Sequence, residues 1–397
     1  MEKEQSKETT NNNFITSHPI SKQQWIQISA QMHDHAMTVA GVPARKYYWD
    51  AKIFVETYQK VADYYGIDIA RPSADIYNFE IEGMGGKMLY GENAMPTIDF
   101  RDPLIKEPGD LLKLKTPDFR KDGRLPFALE CIKLRNDGLG SFCGIFSMAV
   151  GLRSYPVLIK DMRKRPQFVH DIFTFIIDQV LIPFFQAQKD DCGVTAVQGA
   201  DAWASIPLLS VNEMKEWVVP FNQQLVNKAR KIGVAVTSGA GDYCEEDREK
   251  FNIDVIHGAF DVQMETRGGN FLTLGMGNWH EYPLEPVRQY TEKYRTQGIK
   301  FAIRAGINAR LLRDGPVAKI VNTIRRYIET FGHDHELSIW LANIPADTQP
   351  DHVHAAVAAT HTFGKFPIAA NLNNVKFIPP KRETFEEWKD KNSRVTV

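Results

Sequence analysis

Short apolar segments alternate along most of this chain with longer segments whose apolar residues recur at helical spacing. The short segments are apolar on both faces, which is typical of parallel strands covered on both sides by helices. They are Ile76–Ile81, Phe142–Met148, Val194–Gln198, Val234–Thr237, Val255–Phe260, Phe271–Leu274, Phe301–Arg304 and Leu337–Leu341. Eight strands interleaved with helices predict an α/β protein, a (β/α)8 TIM barrel. An open doubly wound sheet is disfavoured because no glycine-rich dinucleotide turn follows the first strand.

The pattern divides the chain into three parts. Residues 1–20 are polar without periodic apolar positions, which predicts disorder. Residues 21–70 have helical spacing and are expected to form an N-terminal helical extension, in which the helix from Ala51 ends at Gly66. Residues 71–397 are expected to form the catalytic barrel domain, where Ser210 and Glu213 make a capping box that opens a helix.

Composition removes several classes of function. Among 397 residues, 48 Lys and Arg balance 49 Asp and Glu, so the net charge of −1 argues against a nucleic-acid partner. The polar start does not resemble a signal peptide, and no apolar run approaches the roughly 20 residues that a membrane helix requires. Four scattered cysteines indicate reduced thiols. We therefore expect a cytoplasmic protein with no membrane partner.

Polar and aromatic residues follow the predicted strands, at the end of a barrel where active sites lie. They are Asp201, Trp203, Tyr243, Glu246, Asp261, Trp279, His280, Tyr282 and Asn308. Four of them also have a structural interpretation: Asp201 as a helix cap, Trp203 and Trp279 as packing residues, and His280 as a loop histidine. Their shared position after strands indicates an enzyme pocket.

Three of these residues suggest a metal site. Glu246, Asp261 and His280 each follow a different predicted strand, so they could converge at one rim of the barrel. Two carboxylates and an imidazole with an open position are typical of catalytic zinc. An arrangement of unrelated surface acids remains the alternative.

Four ordered motifs resemble the uroporphyrinogen decarboxylase superfamily. They are Asp75-Ile-Tyr through Glu80-Ile-Glu82-Gly-Met-Gly, Gly199-Ala-Asp201-Ala-Trp, Gly306-Ile-Asn308-Ala-Arg-Leu-Leu-Arg-Asp-Gly-Pro, and Ile344-Pro-Ala-Asp-Thr348 with the segment 352–359. The resemblance extends over roughly residues 45–375 and implies a distorted (β/α)8 barrel.

The resemblance also favours one branch of this superfamily. Its decarboxylases have an Arg-Gln-Ala-Gly-Arg segment that residues 41–48 lack, and its thiol-methylating members have a His-x-Cys zinc motif that is absent here. The remaining branch is corrinoid-dependent, and the chain looks most similar to the first methyltransferase of anaerobic O-demethylases. The resemblance then implies a guaiacol- or veratrole-type methyl ether, zinc, and a corrinoid supplied by a partner protein.

On this resemblance, roles can be assigned to the strand-end residues. His280 would act as general acid or metal ligand, Asp201 and Asn308 would position a ring substituent, and Trp203, Tyr243, Trp279 and Tyr282 would enclose the arene. Three alternatives stay open: a methylamine as donor, decarboxylation of a smaller acid held by Arg153, Arg304 or Arg310, and a non-catalytic corrinoid-protein chaperone. A homodimer is also left open.

Overall fold

A computed structural model of the protein describes residues 24–72, 77–275 and 283–393. The strands in this part of the chain are β1 Ile28–Ala30, β2 Met88–Leu89, β3 Thr97–Ile98, β4 Leu139–Cys143, β5 Ala196–Ala200, β6 Ser205–Ile206, β7 Ala235–Gly239, β8 Asp242–Tyr243, β9 Phe271–Leu274, β10 Ala302–Ile307 and β11 Glu336–Leu341.

The helices alternate with the longer strands. They are α1 His33–Val39, α2 Ala44–Tyr47, α3 Ala51–Tyr65, α4 Phe79–Gly83, α5 Leu125–Arg135, α6 Ile145–Arg153, α7 Tyr155–Lys164, α8 Pro166–Phe175, α9 Ile182–Cys192, α10 Val211–Trp217, α11 Val219–Lys231, α12 Ile253–Arg267, α13 Leu284–Arg295, α14 Ala309–Asp314, α15 Val317–Phe331, α16 Pro350–Phe363 and α17 Phe385–Ser393. The predicted helix end at Gly66 is confirmed, as is the capping box of Ser210 and Glu213 that opens α10.

The parallel strands follow one another in chain order. One sheet has the order β4-β5-β7, and another has the order β9-β10-β11-β1. Because the last strand, β11, pairs in parallel with the first, β1, the strand order returns on itself as it does in a barrel. The predicted α/β barrel class is confirmed.

A buried glutamine connects the two sheets. The Gln263 side chain, fully buried on α12, donates to the carbonyl oxygens of Gly241 and Thr273, at 3.1 and 3.2 Å. Its amide oxygen accepts from the Thr273 N–H at 2.8 Å. The backbone after β7 and the backbone of β9 are therefore bridged by a side chain.

Two predicted strands are wrong because helices occupy their residues. Residues Val255–Phe260 lie inside α12, which Asn252 opens by accepting from the N–H groups of Asp254 and Val255. Residues 79–81 of the first predicted strand lie in α4, and residues 73–76 are outside the described part. A short apolar run does not distinguish a strand from one turn of buried helix.

A third predicted strand, Phe142–Met148, ends earlier than expected. Strand β4 stops at Cys143, and α6 begins at Ile145 after Gly144. The carboxylate of Asp201, which follows β5, accepts from the Phe146 and Ser147 N–H groups at 3.1 and 2.7 Å. These contacts satisfy the first turn of α6, so a distant residue ends the strand.

The segment 21–70 is not only helical. Ile28, Ser29 and Ala30 form β1 and pair with Ile339, Trp340 and Leu341 of β11. A strand of three residues was too short to be recognised from its apolar pattern. The division between an extension and a barrel at residue 70 stays a prediction.

One helix is longer and more apolar than the sequence pattern predicts. Residues Pro166–Cys192 are helical without interruption through a π-helical turn at Ile176–Leu181, and by length and composition alone they could cross a membrane. Half of the most apolar 18-residue stretch of this helix is buried in the protein. Val169, Ile172 and Phe173 are among the buried residues of the helix. This burial accounts for the apolar composition of the helix, since a helix buried inside a protein is apolar on most of its faces.

Candidate active site in the barrel interior

A cavity of about 230 Å³ lies inside the ring of parallel strands. Its lining includes residues of β1, β4, β5, β7, β10 and β11, together with side chains from α3 and α12. Aromatic walls come from Tyr58, Tyr77, Phe271 and Trp340. Concave sites that combine aromatic walls with a few polar groups are typical of small-molecule binding.

The cavity exists because polar or small residues occupy the middle of the strands. Ser141, Gln198 and Thr237 are register partners across β4, β5 and β7, and all three line the cavity. In the other sheet, Thr273, Arg304 and Ser338 are register partners across β9, β10 and β11. Bulky branched residues fill these positions in most such barrels, so this layer leaves space where a packed core is usual.

Positive charge exceeds negative charge in the lining. Four lining residues are arginines, Arg71, Arg135, Arg267 and Arg304, and one, Asp242, is a carboxylate. The Arg135 guanidinium donates to the Pro72 carbonyl at 3.1 Å and lies 3.4 Å from Asp137. Asp242 lies 3.4 Å from Arg267.

The Arg267–Asp242 pair is deeply buried. Arg267 also donates to the side chains of Thr273 and Gln263, which fix its position beside β9. Burial raises the pKa of the Asp242 carboxyl and lowers the pKa of Arg267, while each charge partly restores the other. The neighbouring guanidinium of Arg304 also favours the ionised form of Asp242.

Arg304 is held by rings and a hydroxyl, and no carboxylate within the described ranges lies at ion-pair distance. Its guanidinium carbon lies 4.3 Å from the Trp340 ring centroid and 5.6 Å from that of Phe271. One terminal nitrogen donates to Thr273 at 3.3 Å, and its buried Nε has no hydrogen-bond partner among the described residues. Burial, with the nearby charge of Arg267, lowers the pKa of Arg304 to about 10.

The structure places Asp201 outside the cavity lining. Both carboxylate oxygens accept hydrogen bonds from the first turn of α6, and the Ser147 hydroxyl donates a third at 2.7 Å. Burial raises the pKa of Asp201 against the effect of these hydrogen bonds. The geometry agrees with the helix-cap interpretation, and a catalytic role stays a prediction.

The described aromatic and amide candidates also lie outside this lining. Trp203 stacks on Tyr155, with ring centroids 5.3 Å apart. Tyr243 is buried against Phe251 at 5.9 Å, and burial raises its pKa to about 12. Asn308 caps α14 by accepting from the Leu311 N–H at 2.9 Å.

Two of the three predicted metal ligands, Asp261 and Glu246, are described, and each has another partner. Asp261 lies on α12 and does not follow a strand. Its carboxylate accepts from the Tyr290 hydroxyl at 2.8 Å and lies 3.5 Å from the Lys215 ammonium group. Glu246 is exposed and lies 3.9 Å from Arg310. Within residues 24–72, 77–275 and 283–393, no three His, Cys, Asp or Glu side chains are placed to hold a metal ion. Because His280 lies outside the described residues, the zinc site stays a prediction.

Three predicted site residues, Trp279, His280 and Tyr282, lie outside the described part of the chain. Their segment follows Gly275, directly after the carboxyl end of β9. Their assigned roles stay predictions.

Of the arginines proposed to hold an acid, only Arg304 lines the cavity. Arg153 is buried against Asp161 at 2.9 Å and donates to the Ile105 carbonyl, while the Arg310 side chain is half exposed. Sequence reasoning missed Arg71, Arg135 and Arg267, because it considered only residues that follow strands. Polar residues in the middle of apolar strands, such as Gln198 and Arg304, were a signal for the interior layer. They give no signal for the three missed arginines, which lie outside the strands.

Comparison with solved structures identifies the same architecture elsewhere. A methyltransferase from Methanosarcina mazei is 18% identical, with a TM-score of 0.64 over 86% of this chain and 95% of that chain. At this identity the likeness shows the fold. A B12-independent methionine synthase from a Shewanella species is 12% identical, with a TM-score of 0.43 over 77% of this chain and 84% of that chain, too low to carry an argument.

No curated protein matches the sequence significantly. The sequence family described as uroporphyrinogen decarboxylase (URO-D), however, matches residues 24–363. That range includes β1 and β11, the first and last strands, which pair with each other. The chain belongs to the uroporphyrinogen decarboxylase (URO-D) family.

Proposed function

We propose that this protein is a methyltransferase that removes the methyl group of a small aryl methyl ether and passes it to a corrinoid carried by a separate protein. The observation that carries the proposal is the interior cavity, with four aromatic side chains in its wall. Its volume of about 230 Å³ is below the usual range of small-molecule sites, about 300–1,000 Å³, which favours a one-ring compound over a tetrapyrrole.

The fold adds support for methyl transfer. The similar structure from Methanosarcina mazei is a methyltransferase, and the likeness covers 95% of that chain. A cavity of this size does not accommodate a corrin macrocycle, so a corrinoid on a docking partner is the arrangement that fits. When bound, the partner would supply the reduced cobalt that accepts the methyl group.

The protein's own residues have two tasks in this proposal. The cavity must hold the donor with its methyl group directed at the carboxyl ends of the strands, since that is where a partner has access. A proton donor must neutralise the ether oxygen as the carbon–oxygen bond breaks, because an unprotonated oxygen leaves poorly. We assign this proton transfer to His280, which follows β9 in the sequence.

The test is anaerobic visible spectroscopy of a reduced corrinoid protein mixed with this enzyme and a panel of methoxyarenes. We expect the Co(I) spectrum to be replaced by that of methyl-Co(III), and His280→Ala to slow this change by about 100-fold or more. His333→Ala, a change at an exposed histidine before the amino end of β11, serves as a control for folding and mixing. An unchanged Co(I) spectrum with every methoxyarene and methylamine would contradict the proposal.

A second candidate is decarboxylation of a small acid, and the excess of arginine in the lining favours it. Incubation with small aromatic carboxylic acids in the absence of corrinoid distinguishes the two reactions, because only a decarboxylase would release carbon dioxide from them. Methyl transfer remains the preferred function because the similar structure from Methanosarcina mazei is a methyltransferase.

A further inference from the structure

We infer that the barrel interior contains a carboxylate-binding subsite formed by Arg304 and Arg267, and that the methyl donor is therefore an aromatic acid that also carries a methoxy group. This inference rests on the proposed function for the identity of the donor. The subsite itself follows from the charge and geometry of the cavity.

The first argument is charge. Asp242 is the single carboxylate among the cavity-lining residues described, and it lies beside Arg267 at 3.4 Å. Arg304 lines the same cavity without a carboxylate within 4 Å in the described ranges. Asp242 acts on Arg304 only beyond ion-pair distance and already pairs with Arg267, so two buried guanidinium groups share one carboxylate. A bound carboxylate would supply the second negative charge.

The second argument is unsatisfied hydrogen-bonding capacity. The Arg304 Nε and the Ser338 hydroxyl are buried without hydrogen-bond partners in the described structure, and their residues are register partners on β10 and β11. Two donors on adjacent strands, beside the terminal nitrogens of Arg304, match the oxygens of a carboxylate. Stacking on Trp340 already restricts the Arg304 guanidinium, so the side chain loses less conformational entropy when an anion binds.

The third argument is the depth of the subsite. Arg304 is the third residue of β10, which continues to Ile307 at the carboxyl end. Three residues of strand extend about 10 Å, enough for one aromatic ring between the carboxylate and the end of the barrel. The carboxylate is then a remote binding group that positions the methoxy carbon, and it takes no part in the reaction.

The aromatic wall of the cavity argues against a small inorganic or aliphatic anion as the natural ligand. The aromatic wall at Tyr58 and Tyr77 would remain unused by acetate or phosphate. A ring and a carboxylate joined in one molecule use both parts of the cavity.

Binding without corrinoid tests the inference separately from the proposed function. In calorimetric titrations of the full-length protein we expect benzoate to bind at least about tenfold more tightly than neutral benzamide, and 4-methoxybenzoate to bind at least as tightly as benzoate. Equal affinity for benzoate and benzamide would overturn the subsite, as would acetate or inorganic phosphate binding as tightly as benzoate. This comparison needs no variant.

Two substitutions then locate the subsite. Arg304→Met should weaken benzoate binding at least about tenfold while leaving benzamide unchanged. Arg295→Met, which removes an exposed guanidinium on α13, should change neither affinity by more than about twofold. Unchanged benzoate affinity in a folded Arg304→Met protein would contradict the inference. Selective benzoate binding without methyl transfer would retain the subsite and reject the proposed function, whereas transfer from neutral methoxyarenes alone would do the reverse.

Discussion

Single buried side chains in this protein are held in one protonation state by their surroundings. The His35 ring is fully buried; its Nδ1 donates to the Pro345 carbonyl at 3.1 Å, and its Nε2 accepts from the Tyr65 hydroxyl at 2.8 Å. Because a carbonyl can only accept, these contacts fix the neutral tautomer. Burial lowers the pKa of His35 to about 4.

This shift predicts acid sensitivity. The folded-state pKa is below the ordinary value of about 6.5, so between about pH 6.5 and 4 the unfolded chain binds the extra proton. Stability should therefore fall on acidification through this window, by up to about 1.4 kcal/mol per pH unit from this group. Urea midpoints measured across the window should show a shallower slope for His35→Gln than for wild type. The exposed His333→Gln is the control, and identical slopes for wild type and His35→Gln would contradict the prediction.

At the scale of elements, the junction of β4 and α6 shows how a distant residue sets a boundary. A β-carbon at Gly144 would lie 2.4 Å from the Asp201 side chain, far below normal contact. The glycine therefore allows Asp201 to reach the N–H groups of the first turn of α6. The end of β4 and the start of α6 therefore depend on the close approach of the loop after β5 to Gly144.

Gly144→Ala tests this dependence. The added methyl group should displace Asp201 from α6 and lower the free energy of unfolding by about 2 kcal/mol, through overpacking and loss of the cap. Gly109→Ala is the matched control, because a β-carbon there has nothing within 4 Å. Urea denaturation compares the two variants, and equal midpoints would refute the proposed role of Gly144.

At the scale of the whole molecule, the N-terminal segment is part of the sheet. Strand β1 pairs with β11, and Ser29 and Ala30 line the interior cavity. A division into an extension and a separate barrel at residue 70 would cut this pairing and open the cavity wall.

Two truncations test whether the barrel needs this segment. A protein of residues 71–397 lacks β1 and should fail to unfold cooperatively in thermal melts, because β11 keeps β10 but loses its pairing with β1 on the other edge. A protein of residues 21–397 retains β1 and should melt like the full chain. A cooperative transition in the shorter protein would instead support an independent barrel domain.

The sequence by itself determined the class of the fold and much of its order. Apolar runs such as Phe271–Leu274 and the helix ending at Gly66 are local patterns, and local periodicity is visible without a structure. The ordered motifs also pointed to the superfamily that the family match supports.

Only the tertiary structure decided where the cavity lies and what lines it. Arg267 is on a helix that the sequence misassigned, and Arg304 is within a strand, yet both reach one interior space. Asp201 was expected to contact substrate, and the fold brings its carboxylate to α6. The physical reason is that these features form between residues far apart in sequence: the excess of positive charge in the cavity, its hydrogen-bond donors without partners, and the close approach of Asp201 to Gly144. A local sequence pattern cannot predict such contacts.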